Sequence, residues 1–168
     1  MRPILLLLAL LAANATQAQE ARVVVVVRHA EKASDGPRDP SLTCEGQARA
    51  RRLAATLAGA GVDHVYATPF RRTRETAAPA AADAGVVVKV RGFDMGGADQ
   101  HVEELARELR ALPPGGTALV VGHSNTVPAI VQALSGQPTE PMPESEYDRY
   151  TVVVLGADGS ARVITSRY

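Results

Sequence analysis

Residues 23–27 are five valines in a row. An unbroken β-branched run of this kind predicts a strand buried on both faces, because a strand lying between core and water alternates apolar with polar positions. Downstream the period lengthens. Thr43 is placed to cap a helix running to about residue 58, with Ala48, Leu53 and Leu57 facing a sheet and Gly59 and Gly61 ending it. Residues 64–67 predict a second strand, Thr68-Pro69 a helix-opening turn, and residues 70–84 an alanine-rich helix interrupted or kinked near Pro79. A third strand follows over 86–90, then a helix over 100–112 with Val102, Leu105 and Leu109 on one stripe. The Pro113-Pro114-Gly115-Gly116 break precedes a fourth strand over 118–121 and a helix over 126–134, in which Pro128 falls in the first turn. Residues 150–155 and 161–165 predict a terminal hairpin around Asp158-Gly159.

Strand and helix alternate through the first four strands. The expected fold class is therefore α/β, a three-layer α/β/α sandwich with a mostly parallel central sheet and a C-terminal hairpin. Ligands of such sheets gather beyond the carboxyl ends of the strands. Three short polar segments fall there: Arg28-His29 after the first strand, Thr68-Pro69-Phe70-Arg71-Arg72 after the second, and Gly122-His123-Ser124-Asn125 after the fourth. The Pro- and Glu-rich stretch 138–146 reads as a surface loop that is also long enough to fold over the mouth of such a site.

Composition narrows the picture in three places. With 168 residues, 46% of them hydrophobic, the chain suits a single compact domain. Eighteen acids balance eighteen bases, so no bulk field draws the protein to nucleic acid or an anionic membrane, and any preference for anions must come from a local cluster. The first residues read as a secretory signal: Arg2 as the charged end, residues 4–12 as the apolar stretch, and small residues leading to cleavage after Ala18, with Ala15 as the alternative. That stretch is too short for stable membrane insertion. The expected organisation is a signal peptide over 1–18 and one domain over 19–168, exported to the periplasm or secreted. Cys44 is the only cysteine, so no internal disulfide forms, and it is expected to act as a small packing residue.

The polar segments suit phosphoryl transfer, in which a protein chiefly positions the group and stabilises charge on its equatorial oxygens. Arginine presents a permanently charged planar fork of donors, so Arg28 and Arg72 can clamp two faces of one phosphate. A neutral imidazole at His29 can attack phosphorus once one ring nitrogen is fixed as a donor. His123 offers a further donor, and the amides at Ser124 and the helix opening add anion affinity. No set of Cys, His and carboxylate residues at ligand spacing accompanies the histidines, so neither a metal nor another cofactor is expected. His64 and His101 read as surface or packing residues, Arg71 and Arg74 as solvated helix charges, and Glu31 as a solvated loop charge in preference to the alternative, a partner for an arginine.

The segment Val27-Arg28-His29-Ala30-Glu31 resembles the Arg-His-Gly or Arg-His-Ala signature of the histidine phosphatase superfamily, the phosphoglycerate mutase-like proteins. Leu42-Thr43 with Gly46, the run from Thr68 to Ala77, and Val121-Gly122-His123-Ser124-Asn125 resemble the family's other motifs, in family order. Within the second of these, the family's second arginine falls on Arg72. The resemblance implies a metal-independent histidine acid-type phosphatase in which His29 is the nucleophile and Arg28, Arg72 and His123 hold the phosphoryl group. The substrate would be a phosphorylated small molecule or protein, either a phosphomonoester or a phosphoramidate. Two departures matter. Ala30 replaces a frequent glycine, which is harmless only where φ is negative. The interval between the third and fourth strands, where larger members carry their general acid, is short, and Asp94 is the candidate acid, with Asp99 and Glu103 behind it. The short branch of the family resembles proteins acting on phosphohistidine, and the short interval implies an open site. The alternative is a non-catalytic phosphate- or anion-binding protein of the cell envelope; mutase chemistry would need a closed, water-excluding pocket.

Mass spectrometry of the exported protein should find its N-terminus at Gln19; retention of residues 1–18 would remove the reading of that stretch as a cleaved signal.

Overall fold

A computed structural model describes residues 21–36, 38–92 and 97–168. The expected signal peptide and Asp94 lie outside the described residues.

The chain runs β1 (Arg22–Arg28), α1 (Cys44–Thr56), β2 (His64–Ala67), α2 (Arg71–Ala84), β3 (Val88–Val90), α3 (Gly97–Arg110), β4 (Thr117–Gly122), α4 (Thr126–Ser135), β5 (Arg149–Leu155) and β6 (Ala161–Arg167). The strands form one six-stranded sheet in the order β3-β2-β4-β1-β5-β6. The first four in that order are parallel, and β5 and β6 close the sheet as an antiparallel hairpin. The valine run lies near the middle. Val24 and Val26 face α3 and α4, while Val25 and Val27 face α1 and α2, so both faces are covered and the expected three-layer sandwich is the observed one.

Local chemistry sets the helix ends. The Thr43 hydroxyl accepts from the Gly46 amide at 3.0 Å to open α1, and Gly85, at φ 68°, closes α2 in the left-handed conformation. Several expectations need correction. Pro79 does not interrupt α2: it costs the helix one backbone bond, and burial of Ala77, Ala80 and Ala81 on either side of it offsets that loss. β3 is only three residues long and largely exposed, since it is an edge strand. The face of α1 toward the sheet is Ala50, Leu53, Ala54 and Leu57 rather than Ala48. Cys44 is exposed at the start of α1, not packed, because the first residue of that helix points away from the sheet.

One contact holds the loop after β1 in place. A Cβ on Gly46 would come within 2.3 Å of the Glu31 carbonyl oxygen, so α1 begins against the chain just beyond His29. The Thr43 amide donates to that same carbonyl at 2.9 Å. Gly46→Ala should therefore lower stability by about 1–3 kcal/mol, the usual cost of overpacking against a backbone that cannot yield; the midpoint of urea unfolding, with an unchanged slope, is the measurement.

Candidate active site

β1, β2 and β4 end side by side, and Arg28 with residues just beyond these strand ends builds one open pocket of about 330 Å³. Its walls hold Arg28, His29, Arg72, His123 and Ser124, all five expected from sequence, together with Lys32, Phe70, Asn125 and Glu144. A larger cleft of about 450 Å³ at the opposite end of β1, around Arg22 and Arg110, holds neither histidine.

His29 is 4% exposed. Its Nδ1 lies 2.7 Å from the Ala30 carbonyl, which can only accept, so Nδ1 carries the proton and donates it. In the neutral ring the lone pair is then on Nε2. Burial holds the imidazole far below the ordinary histidine value, at about 4; the Ala30 bond opposes this, and Arg28, Arg72 and Lys32 add to it. The surrounding chain fixes the ring from below. The His29 amide donates to Gly122 at 3.0 Å, and the Ala30 amide to the Thr76 hydroxyl at 2.9 Å. Ala30 is fully buried, and no described non-glycine residue has positive φ, so alanine fits where the family often has glycine.

Arg28 is 1% exposed and held on three sides. Its Nη1 donates to the Pro143, Glu144 and Glu146 carbonyls at 3.0, 2.8 and 3.1 Å, and its Nη2 to the Glu144 carboxylate at 2.7 Å. The guanidinium lies 4.2 Å over the Tyr147 ring. Arg72 stacks in the same manner on Phe70, at 4.3 Å. The Nε atoms of both arginines are buried without a partner. Buried donors are nearly always satisfied, and these two unpartnered Nε atoms belong to arginines that line one pocket, where an acceptor ligand would satisfy them.

His123 packs edge-on against His29, with ring centroids 5.4 Å apart, and against Phe70. Its Nε2 is 3.0 Å from the Thr68 hydroxyl, which is 2.8 Å from that of Thr73. Thr73 has one proton and two carbonyls in reach, Thr68 at 3.0 Å and Phe70 at 2.8 Å, and spends it on one of them. Thr73 thus accepts from Thr68, and Thr68 accepts from His123 Nε2. Burial first, then the nearby charges of His29, Arg72 and Arg28, lowers His123 to about 3.

The second motif's other residues are supports. Thr76 donates to the Arg72 carbonyl, Glu75 accepts from the Leu42 amide at 2.7 Å, and Arg71 pairs with Glu75 on the surface. Glu31 is not a solvated charge: it is paired with Arg49 at 2.6 Å and largely covered, because α1 brings that arginine back over the loop. His101 is buried and donates to Gly92, holding α3 against the chain after β3, and His64 pairs with Asp63. Asp99 and Glu103 are exposed on α3 and do not line the pocket. Sequence reasoning missed Lys32, Phe70, Tyr147 and Glu144. Phe70 stood inside a recognised motif; the only signal for Glu144 was a loop long enough to fold over the mouth of the site, and Glu144 of that loop reaches the pocket wall, with Tyr147 just beyond it.

Unfolded histidine takes up a proton near pH 6.5, whereas these two buried rings do so only near 4 and 3. Between pH 6.5 and 4 the unfolded chain therefore binds more protons, and stability falls as pH drops through that window. An NMR titration should find both rings neutral at pH 6, and a ring titrating near 6.5 would contradict the described burial.

The model of the histidine phosphatase superfamily (branch 1) matches residues 24–94, the stretch with Arg28, His29 and Arg72. No curated protein sequence matches the chain. Among solved structures, the protein histidine phosphatase SixA complexed with tungstate is similar at TM-score 0.67 and 21% identity, over 86% of this chain and 96% of that one. A SixA from Nakamurella multipartitia is similar at TM-score 0.61 and 26% identity, over 88% and 96%. A mycobacterial glucosyl-3-phosphoglycerate phosphatase is similar at TM-score 0.66 and 19% identity, over 88% and 98%. The family match runs through the first three of the four motifs, and the fold is shared with these phosphatases along most of the chain, so this chain is similar to the histidine phosphatase superfamily in both sequence and fold.

Proposed function

We propose that this protein is a phosphatase that hydrolyses a phosphomonoester or phosphoramidate through a phosphohistidine on His29. One observation carries the proposal: a buried, neutral imidazole with its lone pair on Nε2 shares a pocket with two arginines whose buried Nε donors lack partners. An anion is the ligand such donors ask for, and a phosphoryl group is the anion that gives the imidazole something to attack.

The His29 Nε2 lone pair forms a bond to phosphorus as the bond to the leaving oxygen or nitrogen breaks. The departing electron pair goes with the leaving group, which takes its proton through the open mouth. Charge on the three equatorial oxygens is held by Arg28, Arg72, His123 and the amides opening α4. His123, neutral in the free pocket, gains proton affinity from the incoming negative charge. Water then attacks phosphorus, the P–N bond breaks, its electron pair returns to Nε2, and inorganic phosphate leaves. No metal takes part in this scheme. A phosphoramidate leaving group needs the least help from an acid, and that is the chemistry named for SixA, one of the similar folds.

Release of phosphate from an aryl phosphate by the mature protein should persist with chelator and fall about 10³-fold or more in His29→Ala, as for loss of a covalent nucleophile. Acid-labile phosphate on the wild-type protein should vanish in the same variant. Turnover surviving His29→Ala would sink the mechanism. Phosphate binding without turnover would favour the binding-protein reading.

A further inference from the structure

The guanidinium of Arg28 has little left to offer a ligand. Its Nη1 is committed to three backbone carbonyls of residues 143–146. That leaves the edge formed by Nε and Nη2, the side-on fork suited to bidentate recognition of an oxyanion. Nε is buried and unpartnered, and Nη2 is taken by the Glu144 carboxylate at 2.7 Å. The other oxygen of that carboxylate accepts from the Ser124 hydroxyl, next to the opening of α4. Glu144 therefore bridges Arg28, which the proposed chemistry assigns to phosphoryl oxygens, and the Ser124 hydroxyl beside the α4 amides, and it does so in the free protein.

Resting on the phosphatase reading, we propose that Glu144 is a specificity-determining residue whose carboxylate occupies the phosphoryl place until a ligand carrying more negative charge and more acceptor oxygens displaces it.

The geometry suits exchange. The Glu144 side chain is 77% exposed, so its polar contacts are what hold it, and an exposed carboxylate pair is weak. Its backbone stays put. The Glu144 carbonyl accepts from Arg28, Met142 is buried in the core, and Glu146 is clamped by Arg149 at 2.5 Å and Arg167 at 3.0 Å. Rotation of one side chain empties the place without moving the loop. A monoanion with two oxygens gains nothing over Glu144 itself. A phosphoryl dianion reaches Arg28, Arg72 and the α4 amides together, and repels the carboxylate it replaces. In the free protein the Ser124 hydroxyl and Arg28 hold the Glu144 carboxyl below the usual range, so it is the ionised carboxylate that sits on Arg28.

The test is calorimetry of inorganic phosphate and of acetate on the mature protein, with aryl phosphate kinetics alongside, for wild type, Glu144→Gln and Glu144→Ala. Both variants should bind phosphate about 5-fold or more tightly, the scale of removing one competing charge-assisted bond. Acetate, excluded by wild type, should become a measurable competitor. Unchanged or weaker phosphate binding overturns the inference, as does divergence of the two variants, which would assign the effect to side-chain size. A fall in kcat with unchanged phosphate affinity also overturns it, placing Glu144 in the chemical step. A wild type that neither binds phosphate nor turns over aryl phosphate removes the phosphatase reading itself, a result distinct from the others.

Discussion

A guanidinium at 1% exposure at the end of a central strand has to be given acceptors, because an unpaired buried charge is among the most costly features a fold can contain. Arg28 receives three carbonyls and a carboxylate from residues 143–146, far away in sequence. Those bonds draw the loop between α4 and β5 over the carboxyl ends of β1 and β4, bring Tyr147 under the guanidinium, and turn an open sheet end into a pocket with a rim. The arginine thus organises the loop as much as the loop organises the arginine.

The same burial sets the electrostatics next door. His29 and His123 are kept neutral by desolvation and by the cations around them, and each has one ring nitrogen committed to an acceptor, Ala30 for one and Thr68 for the other. A neutral imidazole beside two guanidinium groups is poor at holding a proton and well placed to share electrons with an electron-poor phosphorus. On a chain whose formal charge balances, this small cationic pocket is the local cluster that the composition required of any anion site.

Much of this was legible in the residues. The valine run had to be a doubly covered strand, and strand-helix alternation made the sheet mostly parallel, which put Arg28-His29, Thr68-Arg72 and His123-Ser124 at neighbouring strand ends. What misled was local. Pro79 signals a break when read alone, yet the alanines around it pack well enough for α2 to continue. Cys44 looked like packing because its residue type usually is, and only the phase of α1 shows that it faces outward. Glu31 looked solvated until α1 returned Arg49 to it.

By itself the sequence determined the elements, the layer architecture and the four side chains at the heart of the pocket, since each of these follows from period, punctuation and short motifs acting within a few residues. Tertiary structure alone decided the tautomer of His29, the orphaned Nε donors of the two arginines, and the arrival of Glu144 on Arg28 from 116 positions along the chain. The physical reason is the range of the forces involved. Backbone propensity and hydrophobic period are local, whereas the proton on a ring nitrogen and the partner of a buried charge depend on which distant acceptors close packing delivers to it.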